Sequence, residues 1–115
     1  MEQYRVIFQV NEEDPFRVNL VLNNMKNLIA DLGEENLEIE LVAYSMGVKM
    51  FFNSSPYADI ISSLLKKEVI FAACSNTLNS LNVSPEELIK GIEVAPSGIG
   101  EIVRKQKEGW IYIRP

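Results

Sequence analysis

The sequence contains no histidine and a single cysteine, Cys74. Without histidine there is no Ser-His-Asp or Cys-His catalytic arrangement, no histidine metal site and no imidazole pH switch. One cysteine cannot close an intrachain disulfide, which suits a reducing, intracellular compartment. One cysteine without histidine also gives no zinc site of ordinary ligand type. No apolar run approaches the ~18 residues of a membrane span. The N-terminal stretch MEQYRVIFQV lacks the basic-then-apolar pattern of a signal peptide. Basic residues are also sparse: 11 against 16 acidic, for a net charge of −5. They gather only as Lys66-Lys67 and Arg104-Lys105-Lys107, too little for the broad basic face of a nucleic-acid partner. The expectation is a soluble, cytoplasmic protein with neither nucleic-acid nor membrane partner.

The chain has the material for one ordinary core. Its 115 residues are 47% hydrophobic and 23% charged, without repeats, low-complexity stretches or linkers. That length predicts one domain over residues 1–115.

Elements alternate from end to end. Tyr4–Val10 is apolar and β-branched, as a buried strand should be. Asp14-Pro15 pairs an N-cap with proline at the first helical position. Val18, Val21, Leu22, Met25, Leu28, Ile29 and Leu32 then follow one helical face, and Gly33 stands at the helix end. Leu37–Tyr44 reads as the second strand. Ser55-Pro56 repeats the cap-plus-proline signal before Tyr57, Ile60, Ile61, Leu64 and Leu65. Val69–Ala73 is a short apolar strand, and Thr77–Leu81 a short helix. Ser84 and Glu87 have capping-box spacing. Gly91–Ala95 is a further strand. A helix with Ile99, Ile102 and Val103 on one face follows, closed by Gly109, and Trp110–Ile113 is the last strand. The order βαβαβαβαβ, with such short connections, predicts an α/β fold: a three-layer α/β/α sandwich with a five-stranded, mainly parallel sheet.

Ligands in such sheets bind beyond the carboxyl ends of the strands. Four segments arrive there. Asn11–Asp14 is acidic and reads foremost as a loop and N-cap. Gly47, after the second strand, permits close backbone approach or simply a turn. Pro96–Gly100 opens a helix with Ser97, Gly98 and Gly100, where free N–H groups suit an anion or, equally, a tight capped turn. It matches neither GxGxxG nor the P-loop, so no cofactor is expected.

Cys74 is the most informative position. It follows an apolar strand and precedes a helical stretch, so its thiol meets the positive end of a helix dipole and unpaired N–H groups. Both favour thiolate, the nucleophilic form. Asn76 and Thr77 add polar groups beside it. No second cysteine supplies a CxxC pair, and no basic residue in Ser75–Leu81 supplies a phosphatase-type loop. The plain alternative is a small buried core residue.

Two segments together carry a family resemblance: VIFAACSNTL (Val69–Leu78) and EVAPSGIGEIVRKQKEGWIYIRP (Glu93–Pro115). The chain resembles the DsrE/DsrF-like family from its first strand to Pro115. The resemblance implies the three-layer sandwich and a homo-oligomer, often a trimer or hexamer. For some members it also implies sulfur relay, with the cysteine at the position of Cys74 carrying a persulfide to and from donor or acceptor proteins. Many relatives have a His-Gly pair after the second strand, where this chain has Tyr44-Ser45. An alternative function is an oligomeric module that binds a small molecule or anion over Gly47 and Pro96–Gly100, with Cys74 structural.

Overall fold

The computed structural model describes residues 3–115. Its strands are β1 (Tyr4–Val10), β2 (Leu37–Ala43), β3 (Ile70–Cys74), β4 (Glu93–Ala95) and β5 (Ile111–Ile113). Its α-helices are α1 (Pro15–Leu32), α2 (Ala58–Lys66), α3 (Ser75–Ser80) and α4 (Gly98–Lys107). Short 3₁₀ turns cover Glu34–Asn36, Ser45–Phe51 and Pro85–Glu87. The five strands are all parallel, in the order β4-β3-β2-β1-β5.

That order explains the layers. From β1 to β4 the chain steps steadily in one direction, and right-handed crossovers keep α1, α2 and α3 on one face. The last connection runs back across the sheet to β5, so α4 crosses on the opposite face. On the first face the main core joins Val6, Phe8, Val10, Ile39, Leu41 and Phe71 to Val18, Leu22 and Met25 of α1 and Ile61 and Leu64 of α2. Phe51 meets Phe71 edge to face at 5.8 Å, a contact contributing about 0.5–1.5 kcal/mol beyond area burial. On the second face a smaller core holds Ile7, Val42, Ala72, Ala95 and Trp110, with Ile102 of α4 packed on it.

The local signals hold with shifts of a residue or two. Asp14 caps α1, its carboxylate accepting from Phe16 N–H. Gly33 closes α1 with φ +92 and ψ 132, a positive φ outside the left-handed helical well. The capping box of Ser84 and Glu87 is present but opens only a 3₁₀ turn. Helix α2 starts at Ala58, later than the Ser55-Pro56 signal, because Ser55 Oγ spends its bond on Tyr57 N–H in a preceding turn. The strand expected over Gly91–Ala95 is only Glu93–Ala95, since Gly91 has φ +104. The expected α4 face is corrected. Ile102 packs inward, but Ile99 is 56% and Val103 61% exposed. The face that α4 buries is mixed: Glu101 and Lys105 point to the sheet beside Ile102.

Their partner there is Glu40, only 1% exposed on β2. Its carboxyl is pushed up to about 8, first by burial and then by the neighbouring Glu101, against a smaller opposing pull from Lys105. Lys105 Nζ is 3.6 Å from Glu40 Oε1 and 4.8 Å from the centre of the Trp110 ring. Neither Glu40 oxygen receives a hydrogen bond. A carboxylate so placed is costly, whereas a protonated Glu40 donates to the Glu101 carboxylate. Glu101 is held below the usual range, first by that bond and, against its own burial, by Arg104 and Lys105.

The sign of the pH effect follows. A carboxyl whose folded value is raised favours the native state at low pH, and that contribution is lost as pH rises through the folded value. Thermal unfolding of the wild type is expected at progressively lower temperature as pH rises from about 4.5 toward 8, the window set by Glu40. Glu40→Gln, neutral throughout, should flatten this slope and be the more stable protein above pH 8. Parallel wild-type and variant melting curves across that window would refute the neutral Glu40.

Candidate functional site

Strands β3 and β4 lie side by side, with Cys74 level with Ala95. From their carboxyl ends the chain departs to opposite faces, into α3 and into α4. Adjacent strands whose connections part in this way open a crevice, the position where open α/β sheets place their ligands. Cys74 ends β3 at that position and is 5% exposed.

Its surroundings are built from three segments. Cys74 is both the last residue of β3 and the N-cap of α3, which begins at Ser75. The helix thus starts immediately after the thiol, two residues before the expected Thr77. The main-chain groups of Asn76 and Thr77 turn toward the sulfur, and so does the Thr77 hydroxyl. From the other side comes Gly98, the first residue of α4, whose backbone also bonds the sulfur. Burial alone would push the Cys74 thiol up. The hydrogen bonds from Thr77, Gly98 and Asn76 outweigh it and hold the group below its ordinary range. Two helix N-termini therefore converge on one sulfur.

The third segment is the Tyr44–Gly47 turn after β2. Ser45 N–H donates to Thr77 Oγ1 at 2.9 Å. That leaves the Thr77 proton for the sulfur and links β2 to α3. Ser45 has φ +52, a left-handed conformation that favours glycine. Tyr44 packs against Gly98: a Cβ there would sit 2.9 Å from Tyr44 Cβ and Cδ1. The Tyr44 hydroxyl accepts from Gln9 Nε2, and Gln9 Oε1 accepts from Tyr112. Gln9 is 6% exposed, so this three-residue chain satisfies a buried amide.

The candidate residues divide accordingly. Cys74, Asn76, Thr77 and Gly98 meet around the sulfur. Ser97 and Gly100 act one step away: Ser97 Oγ accepts from Gly100 N–H at 2.9 Å and caps α4. Gly47 does not face the sulfur. Its bare Cα lies against β1, where a Cβ would be 2.4 Å from the Val10 carbonyl oxygen, so its close approach is to the chain itself. Gln9 was missed as a site residue, and so was the buried Glu40 beneath α4. The segment Ser45–Gly47 was expected at the carboxyl ends of the strands, and Tyr44-Ser45 was noted as a pair, but neither Tyr44 nor Ser45 was given a role. Glu40 bears a mark in the sequence: it is a carboxylate inside a strand whose two faces are both expected to be covered.

A scan against family models matches the DsrE/DsrF-like family over residues 6–115. The chain belongs to the DsrE/DsrF-like family. It is similar to a solved protein of unknown function, MTH1491 from Methanobacterium thermoautotrophicum, at 48% identity. That match covers 98% of this chain and 100% of the other, with a TM-score of 0.95. The YchN protein of E. coli has the same fold at 14% identity, with full coverage of both chains and a TM-score of 0.80. BT1422 of Bacteroides thetaiotaomicron, of unknown function, matches at 17% identity over 96% of this chain and 94% of its own, with a TM-score of 0.72. No curated protein matches. The α/β fold with five parallel strands is therefore that of the family.

Two substitutions test the geometry. Thr77→Val keeps the shape but removes the hydroxyl donor. Thiol alkylation at pH 7 should slow about fivefold, the effect of one hydrogen bond of about 1 kcal/mol, with the pH profile displaced upward. A profile identical to wild type would show that Thr77 does not reach the sulfur. Gly98→Ala should lower stability by about 1–3 kcal/mol, the usual cost of overpacking, because Tyr44 must move; chemical denaturation reads this directly.

Proposed function

We propose that this protein carries sulfane sulfur as a persulfide on Cys74, as a sulfurtransferase-like element of a cytoplasmic sulfur relay. What supports the reading is the Cys74 thiol at the start of α3, held below its ordinary range, against its burial, by neighbouring Thr77, Gly98 and Asn76. Donors arranged this way stabilise the negative sulfur of a thiolate, the form that attacks a sulfane sulfur. The family's general association with sulfur relay agrees.

The chemistry is a displacement at sulfur. The Cys74 thiolate attacks the sulfane sulfur of a donor RS–SH, forming Cys74–S–SH and releasing RS⁻. Discharge reverses this toward another thiol. No second cysteine is present to resolve the persulfide within the chain, so the acceptor is a partner protein's thiol or a small thiol. In this proposal residues 1–115 act as one domain within a homo-oligomer, a trimer or hexamer. Exposed Val94, Ile99 and Val103, on β4 and α4, support such an assembly. They border the segment that delivers Gly98, so assembly would shape access to the sulfur.

One observation favours a second reading. Cys74 is only 5% exposed, as a structural cysteine would be. In that case the crevice binds a small molecule or anion against Pro96–Gly100, and the thiol merely lines it.

Intact mass after incubation with a sulfane-sulfur donor separates the two. Wild type is expected to gain about 32 Da per sulfur atom, reversed by reductant, as a reversible sulfur cap should be. Cys74→Ser should gain nothing. No gain in the wild type, together with slow alkylation near neutral pH, would overturn the carrier reading and favour the binding module.

A further inference from the structure

A second recess lies on the same edge of the sheet, where β1 and β5 end. It has a volume of about 240 Å³ and is lined by Gln9, Asn11, Glu12, Arg17, Arg114 and Pro115. We propose that it is a binding site for a small oxyanion, a phosphate- or sulfate-type ion or a compact carboxylate. The proposal is independent of the chemistry at Cys74.

The placement of charge is the first argument. The chain is acidic overall, with a net charge of −5 and four arginines, Arg5, Arg17, Arg104 and Arg114. Half of them line this one recess. Arginine's planar fork suits oxyanions, since parallel N–H groups match two oxygens of one group.

The second argument is what those guanidinium groups lack. Arg17 Nη1 donates to the main-chain oxygen of Pro115. Among the described residues Arg17 Nε has no hydrogen-bond partner, although the side chain as a whole is 42% exposed. Its nearest carboxylate oxygen, on Glu12, is 3.7 Å away, an ionic contact too long for a hydrogen bond. An oxyanion in the recess would meet the accessible part of the Arg17 guanidinium beside Arg114. Among the described residues no carboxylate lies within the 4.0 Å ion-pair distance of Arg114. The charged side chains of the lining are two guanidinium groups and the Glu12 carboxylate.

The floor is rigid and polar. Gln9 is fixed at both ends of its amide, by Tyr44 and by Tyr112. Asn11 adds a further amide at the rim. The volume is below the roughly 300–1,000 Å³ of pockets for drug-sized ligands, so the recess suits an ion or a small acid and not a nucleotide. Partial neutralisation by Glu12 keeps affinity modest, on the order of 1 mM.

Heteronuclear NMR of the full chain, titrated with sodium phosphate and separately with sodium citrate, tests this against sodium chloride at matched ionic strength. Saturable shifts are expected at the amides of Asn11, Glu12 and Arg114 and at the side-chain Nε–H of Arg17. Which of the two salts saturates first separates inorganic oxyanions from carboxylates. Arg114→Gln should weaken binding about tenfold without disturbing the Arg17 contact to Pro115, and Cys74→Ser should leave it unchanged. Shifts that never saturate, that chloride reproduces, or that persist unaltered in Arg114→Gln would overturn the site. Loss of binding in Cys74→Ser would instead assign the anion to the Cys74 crevice and equally refute a separate recess.

Discussion

The contact on which the site depends is between the bare Cα of Gly98 and the ring of Tyr44. It sets how closely the start of α4 approaches the end of β2, and therefore brings the Gly98 main chain within reach of Cys74 on the next strand. With any side chain at position 98, α4 must ride higher and the sulfur loses the donor on its outer side. Tyr44 is not free to move aside, because its hydroxyl is tied through Gln9 to Tyr112 at the far edge of the sheet. The lowered thiol thus rests first on Thr77 of its own segment and then on Gly98, which arrives from the second face.

Helix α4 is seated by two different kinds of force. At its N-terminus the contacts are steric and polar: Gly98 on Tyr44, and Ser97 capping Gly100. Two turns further along they are electrostatic, with Glu101 and Lys105 closing over Glu40 and Lys105 over the Trp110 ring. The apolar cluster on this face is small, five buried residues with Ile102 packed against it. A helix with so little apolar burial depends unusually on the protonation state beneath it. Deprotonating Glu40 would place two carboxylates side by side under α4, loosening the element that also carries Gly98. The coupling is mechanical, since Glu40 lies at the level of Ile70 while Cys74 is four residues further along β3.

The main-core face was legible because it obeys periodicity. Val18, Val21, Leu22 and Met25 repeat at helical spacing and are all buried, and Leu37–Ala43 alternates as a strand should. The α4 face was misread for the same reason. Ile99 and Val103 have helical spacing, yet the helix turns them outward because Gly98, Glu101 and Lys105 have specific partners on the sheet. Specific pairing there overrides hydrophobic patterning. The strand-then-helix passage through Cys74 was legible because it is a local signal, and β3 does run directly into α3 there. Gly47 could be read as a point of ligand approach or as a turn glycine, and its missing side chain accommodates the Val10 carbonyl; only the fold shows which surface a glycine faces. The roles of Ser45 and Gln9 were illegible, since what matters is the Ser45 backbone and the position of Gln9 between two tyrosines that lie far from it in sequence.

Burial and activation of Cys74 look contradictory but share a cause. The groups that exclude solvent from the sulfur are the same ones that bond it, so exposure cannot be gained without losing donors. A persulfide relieves this conflict. Adding one sulfur lengthens the side chain by a bond and carries the reactive atom outward, while the inner sulfur stays among the N–H groups of α3 and α4. Loading a buried thiol then requires only a brief opening, and the outer sulfur is the better placed of the two to meet an acceptor. At 5% exposure the thiol admits a small reactant more readily than a bulky one, and the proposed carrier role needs it to hold only one added sulfur atom.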